Sequence, residues 1–344
     1  MVRRLTDRAR LITSYLRGSA DGPRGPSALM LETTVRCNLL CPMCPRTGAG
    51  YPNEDMPDDM LWRVLAEHAE LGGDHVYLYG LGEPLMDVRV FDVLKRCEEL
   101  GLDTILSTNA TLLTAERRRR LLAEKCDHLL VGIDGASEET YGYYRKGGKY
   151  ARVSENLRAL GKEKLAAGSK MAIVVQFIRM KRNAHEVDEF VRQWRGVPGI
   201  DLVRIKSEDI GLDEHRTYAV DGDQRVNPCH LLWRGPMIIR WDGRVYACYH
   251  HAEHGEPVGN LAESSFGEIW RSEGMRRLRT LHSEGRPAED SCCATCPAAR
   301  PRLPFVLGAM ALSGTAVRRM VPVAERVALK FPQLFSEPRD SLID

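Results

Sequence analysis

The sequence predicts an α/β fold: a partial (β/α)6 barrel of the TIM type, a small cysteine-rich domain behind it and a helical tail. Three observations carry this expectation. Six apolar segments of strand length alternate with amphipathic stretches of helix length between residues 29 and 207. The apolar segments are hydrophobic almost throughout, as strands buried on both faces of a parallel sheet must be. The unusual, chemistry-bearing residues fall just after those segments, where a barrel of this kind carries its site. Six units are about three-quarters of the eight that close a barrel, so the sheet is expected to stay open and curved.

In chain order, the strand segments are LMLETT (30–34 region), HVYLYG (75–80), DTILSTN (103–109), HLLVGID (128–134), MAIVVQFI (171–178) and LVRIKS (202–207). The helical stretches between them cover 58–72, 87–100, 114–125, 138–166 and 184–196. After residue 207 the alternation stops. IRWDGRVYAC (239–248) reads as a hairpin turning at Asp242-Gly243. FGEIWRSEGMRRLRTLH reads as one helix, ARPRLP as a linker, and 315–330 as part of a helical tail. The expected boundaries are 1–28 for an N-terminal helical extension, 29–207 for the barrel, 208–300 for the cysteine-rich domain and 301–344 for the tail.

Composition narrows the function classes. The chain has 344 residues, 43% of them hydrophobic, and a net charge of +2. Nearly balanced charge argues against a nucleic-acid partner. The run Arg117 to Arg120 reads as a solvated helix face. Residues 1–20 are basic and broken by polar residues, unlike a signal peptide. No run approaches the roughly 18 apolar residues of a membrane span. The longest, Leu303 to Leu312, is interrupted by Pro304 and Gly308. A cytoplasmic, reducing location follows, in which ten cysteines are metal-binding or catalytic before they are disulfides.

Those cysteines cluster. Cys37, Cys41 and Cys44 form C-x3-C-x2-C in the loop after the first strand, stiffened by Pro42 and Pro45. Three thiolates are one short of a closed metal site, which suits a four-iron cluster with one iron left open. A zinc knuckle with a remote ligand is the alternative. Cys229, Cys248, Cys292, Cys293 and Cys296 form a second group, whose bare spacing suits zinc and a four-iron cluster equally. Cys97 and Cys126 read as packed small hydrophobes. His250, His251 and His254 read as a solvated loop, with His250 a weak candidate for a substrate base.

The ordered motifs resemble those of the radical S-adenosylmethionine (SAM) superfamily over about residues 30–300. C-x3-C-x2-C is that family's cluster signature. Leu81 to Pro84 (LGEP) resembles its G-G-E-P motif, Ser107 to Asn109 its strand-4 motif, and Gly132 to Gly135 with Arg145 its S-x-D-G…R stretch. VVQFI…N resembles the motif beside the adenine. The resemblance implies that Cys37, Cys41 and Cys44 hold a [4Fe-4S] cluster. It implies SAM contacts at Met43, Gly82, Glu83, Pro84, Ser107, Asn109, Asp134, Arg145 and Gln176. Glu83 suits the SAM amino group and Arg145 its carboxylate. Electron transfer from the cluster then cleaves SAM to a 5′-deoxyadenosyl radical. Three positions depart from the family: Leu81 stands for a glycine, Gly132 for a serine and Met43 for an aromatic residue.

The later pattern, C-x12-DGRVYAC…VGNL…IWRS…LR…C-x2-C, resembles the SPASM/twitch extension of these enzymes. That implies an auxiliary [4Fe-4S] cluster on Cys229, Cys248, Cys293 and Cys296. No cysteine follows Cys296, which favours the shorter twitch form. Cys292 is the spare: the family spacing favours Cys293 as the ligand over it, and hydrogen-atom donation by a free Cys292 thiol is a lesser alternative. A closed auxiliary cluster exchanges electrons rather than binding substrate. The expected reaction is dehydrogenation of a small hydroxylated intermediate, sugar- or aminocyclitol-like, with flavodoxin or ferredoxin as electron donor. Epimerisation, peptide maturation and lipid modification are the alternatives. Only about 28 residues precede the first strand, which leaves no peptide-recognition domain there. The apolar segment 303–312 and the tail leave a peripheral membrane contact open. A metal-binding scaffold without catalysis is the remaining class, disfavoured by the intact cysteine triad, Gly82-Glu83-Pro84 and Arg145.

Overall fold

The computed structural model describes residues 2–48, 50–207, 227–296 and 303–311. Six strands form the body of the sheet: β1 (Ala28–Leu31), β2 (His75–Leu78), β3 (Asp103–Thr108), β4 (His128–Gly132), β5 (Ala172–Arg179) and β6 (Leu202–Ser207). Beyond β1 lie β7 (Met237–Ile239), β8 (Arg244–Tyr246) and β9 (Gly259–Asn260). The helices before β6 are α1 (Val2–Leu16), α2 (Asp58–Glu70), α3 (Val90–Glu99), α4 (Ala115–Ala123), α5 (Glu138–Tyr144), α6 (Tyr150–Ala166) and α7 (Val187–Trp194). Those after it are α8 (Leu231–Arg234), α9 (Tyr249–His254), α10 (Phe266–Trp270), α11 (Glu273–Ser283), α12 (Ser291–Ala294) and α13 (Leu303–Ala311).

The sheet order is β6-β5-β4-β3-β2-β1-β7-β8-β9, and β1 to β6 are parallel throughout. Each crossover therefore lays its strand beside the previous one. All six carboxyl ends share one edge, and the loops that leave them meet there. The sheet does not close, as expected of six units.

Strand residues alternate between two faces. Leu29, Leu31, Val76, Leu78 and Leu106 belong to the large core under the helices. Met30, Ile238 and Tyr246, with Tyr77 and Tyr79, pack together on the other face. Cys97 and Cys126 are buried in the large core, as their surroundings in sequence suggest.

Several elements differ from expectation. The stretch 138–166 is two helices, because the chain turns at residues 145–149 with Gly147 at φ +99°. That turn aims Arg145 inward. The stretch expected as one helix from Phe266 is also two, because the Ser272 hydroxyl accepts from Met275 N–H and starts α11 afresh. The predicted hairpin is present as β7 and β8, with Gly243 at φ +84°. It is not set apart from the barrel, however. β7 pairs in parallel with β1, Met30 opposite Ile238, so the second cysteine region grows from the barrel's own sheet. The arginine run is not a bare solvated face either. Arg118 holds Glu163 at 2.8 Å, and Arg120 lies 4.1 Å from the Phe91 ring centre. Among the described residues no helix is long and apolar enough to cross a membrane. The tail stretch 315–330 lies outside the described residues.

The N-terminal extension is helical over Val2–Leu16 and docks away from the strands' carboxyl ends. Arg8 pairs with Asp74 at 3.0 Å, just before β2. Nearby, His68 on α2 is fully buried, with Nε2 3.0 Å from the His75 carbonyl. Burial pushes its pKa down from 6.5 to about 4. The unfolded chain therefore binds this proton first. The stabilising effect is complete above pH 6.5 and is lost as pH falls toward 4, reaching about 3 kcal/mol. Denaturant unfolding between pH 7 and 4 is expected to show this slope, and His68→Phe to flatten it.

Candidate functional site

The loop after β1 carries the first three cysteines. Cys41 is buried beside Leu39, Met43, Tyr144 and Met180, with Cys37 and Cys44 packed against the same group. Burial raises the Cys37 pKa to about 11. It raises Cys41 as well, against the opposing pull of the Arg145 guanidinium. Thiols buried in this way stay neutral unless a cation stands beside them. The loop is braced from outside. Arg36 grips the Asp55 carboxylate with two hydrogen bonds of 2.8 Å and also reaches the Met86 carbonyl. Asn38 bonds to Asn109 and Thr111 beyond β3.

Glu83 lies at the centre of the strand ends. Thr108 Oγ1 donates to its carboxylate at 2.6 Å, Asn109 N–H at 2.7 Å and Leu85 N–H at 3.2 Å. Burial raises its pKa, against these donors and Arg145. A carboxylate offers about four acceptor positions, so roughly one remains for a ligand cation. Pro84 opens a short 3-10 turn behind it. Gly82 must be glycine, because a Cβ there would stand 2.1 Å from the Thr34 carbonyl oxygen.

Arg145, half-buried at the end of α5, pairs with Asp134. Its Nε is buried and unpartnered. Asp134 sits at φ +59° and is fully buried. Its other oxygen accepts from Ile178 N–H at 2.7 Å. Asp134 thus holds Arg145 in place through Oδ2. Asn109 is similarly committed, accepting from Thr111 N–H and Oγ1. Ser107 is half-buried on β3, and Gln176 is half-buried on β5, in register with Gly132.

Two of the three departures from the family motifs have structural reasons. A Cβ on Gly132 would stand 2.2 Å from an Arg145 terminal nitrogen, so the guanidinium occupies the space of the missing serine. Leu81 keeps φ negative and uses its backbone, donating to Glu32 Oε1 at 2.5 Å. Met43 simply packs in the apolar group around Cys41.

The second cysteine group assembles from distant segments. Burial comes first in raising Cys248 to about 12, followed by nearby Cys229 and, more weakly, Cys296. Cys293 is raised by burial, Asp290 and then Cys229, Cys248 and Cys292. Cys293 Sγ lies 3.4 Å from His282 Nε2, and the Nδ1 of that same ring accepts from the Cys229 N–H at 3.2 Å. Cys292 instead lies against Gly255, where a Cβ would meet its sulfur at 3.3 Å. His250 stacks on His254, ring centres 4.7 Å apart, while His251 turns toward Cys293. His251, Asp290 and Cys293 lie close enough to share an ion.

Residue motifs did not reveal Glu32, Asn38, His282 or Asp290, and the solvated-loop reading of His251 fails because it is buried on the helix α9. Glu32 had one available signal, an acid ending an apolar strand. Its carboxylate also meets Arg240 and Trp241 N–H at 3.4 Å.

Comparison with known proteins places this geometry. The radical SAM superfamily model matches residues 31–191, and the iron–sulfur cluster-binding SPASM domain model matches 229–297. The tungsten-containing aldehyde ferredoxin oxidoreductase cofactor-modifying protein of Pyrococcus furiosus is 24% identical over 300 residues, 74% of this chain and 83% of that one. Mycofactocin maturase MftC of Mycobacterium tuberculosis is 25% identical over 342 residues, 85% of this chain and 82% of that one. Streptococcus suis SuiB bound to precursor peptide SuiA shares the fold at TM-score 0.62 and 14% identity, over 91% of this chain and 76% of that one. BtrN in complex with AdoMet and 2-DOIA does so at 0.53 and 16%, over 80% and 94%.

Because the Arg145 guanidinium fills the space beside Gly132, Gly132→Ala is expected to displace it from Asp134. Overpacking of this kind costs about 1–3 kcal/mol. Denaturant midpoints of the two proteins measure it.

Proposed function

From a chain that belongs to the radical SAM superfamily and carries a SPASM iron–sulfur domain, we propose a radical SAM oxidoreductase that removes hydrogen from a carbon of its substrate. Cys37, Cys41 and Cys44 would hold the SAM-cleaving cluster, and Cys229, Cys248, Cys293 and Cys296 the auxiliary one. When bound, the first cluster with SAM supplies a hydrogen-abstracting 5′-deoxyadenosyl radical, and the auxiliary cluster supplies one-electron uptake.

The observation that carries this reading is the pair of opposite, unsaturated groups around Cys41. Glu83 retains about one acceptor position and suits an ammonium group. Arg145 has an unpartnered buried Nε and suits a carboxylate. SAM has both groups on one carbon. Asp134 is then a positioning residue that aims Arg145, and Thr108 and Asn109 aim Glu83. Met43, Gly82, Pro84, Ser107 and Gln176 line the remaining SAM contacts. Leu39, Tyr144 and Met180 exclude water from the thiolates.

For the auxiliary group, four thiolates would fill a cluster's coordination and leave no position for substrate. Electron uptake from a substrate radical, and hence dehydrogenation, is the reaction that suits it. We take Cys293 rather than Cys292 as the ligand, because its sulfur shares the His282 ring with the Cys229 backbone, whereas Cys292 lies against Gly255. We infer a small hydroxylated substrate, in line with the fold shared with BtrN in complex with 2-DOIA. A peptide substrate is the second reading, favoured by the likeness to SuiB bound to its precursor peptide. A low-potential carrier such as flavodoxin or ferredoxin in a reducing cytoplasm would supply electrons.

Anaerobic reconstitution is expected to give about eight irons per chain, and about four would remove the auxiliary cluster. Cys293→Ser should lose iron while Cys292→Ser keeps it. With SAM and a strong reductant, 5′-deoxyadenosine should form, and its complete absence would overturn the enzyme assignment. Faster formation with an aminocyclitol or with a short peptide separates the two substrate readings.

A further inference from the structure

Outside the SAM pocket, one buried histidine contacts two segments of the second cysteine group. His282 lies on α11, whose position is locked by Arg279 three residues earlier on the same face. Arg279 is fully buried and donates to three carbonyls, Leu232 at 2.9 Å and Ala20 and Trp270 at 3.1 Å each. Its guanidinium also lies 4.1 Å from the Trp270 ring centre.

The imidazole is oriented by a backbone donor. Cys229 N–H donates to His282 Nδ1 at 3.2 Å. Nδ1 therefore carries a lone pair, and the ring hydrogen sits on Nε2. Nε2 stands 3.4 Å from Cys293 Sγ, within reach of an N–H···S hydrogen bond. The ring is 4% exposed, so bulk water does not compete for that donor. His251 Nε2 also approaches this sulfur, at 3.5 Å, but it lies 3.4 Å from Asp290 Oδ1 as well. Of these two histidines, His282 is the one whose tautomer a backbone donor sets.

We propose that His282 is a positioning residue that donates an N–H···S hydrogen bond to the Cys293 ligand and raises the reduction potential of the auxiliary cluster. The inference rests on the cluster assignment above. Reduction adds one electron to the cluster, and part of that charge resides on the ligand sulfurs. A fixed N–H dipole aimed at one of them, in a dry setting, favours the reduced state. The same hydrogen bond would help the cluster take the electron that a substrate radical gives up after losing a proton.

The test is a potentiometric titration of the reconstituted full chain with dithionite, followed by electron paramagnetic resonance. His282→Phe removes the donor and keeps a ring. It is expected to make the auxiliary midpoint more negative by roughly a tenfold change in the reduction equilibrium, about 59 mV for one electron. The SAM-cleaving cluster should be unmoved. His282→Gln retains an N–H donor and should lie nearer the unsubstituted protein. A full iron complement with an unchanged auxiliary midpoint in His282→Phe overturns the proposal. Pulsed resonance on 15N-histidine-labelled His251→Gln protein gives a readout with His282 intact. A nitrogen coupling to the reduced auxiliary cluster supports the contact, and its absence overturns it. About four irons in the unsubstituted chain would instead overturn the cluster assignment, and this inference with it.

Discussion

The Glu83 carboxylate is the interaction on which the site depends. A buried carboxylate is costly unless donors surround it. Here the donors come from the two loops that must meet, Leu85 from its own and Thr108 and Asn109 from the end of β3. Its backbone N–H binds Arg36 at 2.7 Å and so adds the loop after β1. Three strand ends thus converge on one residue. Asn109 extends the link to Asn38, between the first two cysteines. Removing the charge would leave several buried donors without an acceptor, which explains why a motif for ligand binding is also a structural knot.

Glu32 makes a second join of the same kind. It binds the Leu81 loop on one side and the Arg240–Trp241 turn after β7 on the other. A Cβ on Gly80 would stand 2.4 Å from its carboxylate oxygen. The Leu81 loop and the second cysteine region therefore share an acid as well as a sheet. The two cysteine regions are thereby held at a fixed separation. The β1–β7 ladder and this buried acid are the parts of the fold that set it.

Much of the barrel was legible because a buried parallel sheet leaves a strong imprint, an apolar run of fixed length ending in a functional loop. LVRIKS was expected over 202–207, and β6 occupies Leu202–Ser207. The helix breaks were less legible. At Arg145–Lys149 and at Ser272 the hydrophobic periodicity runs on, and the break comes from a left-handed glycine or a capping hydroxyl. The hairpin was readable from Asp242-Gly243, yet nothing local indicates that its first strand pairs with β1.

The sequence by itself determined the donor chemistry. Thiols at C-x3-C-x2-C and an acid after Gly82 are short-range patterns, since one loop must present those groups together. Tertiary structure decided which side chains serve the groups so presented. Glu32 and Arg240 meet across 208 positions, and His282 reaches Cys229 across 53. Partners so far apart share no spacing that a sequence records. Only the packing of strands and helices brings the acceptor to its donor, and burial then makes that contact matter.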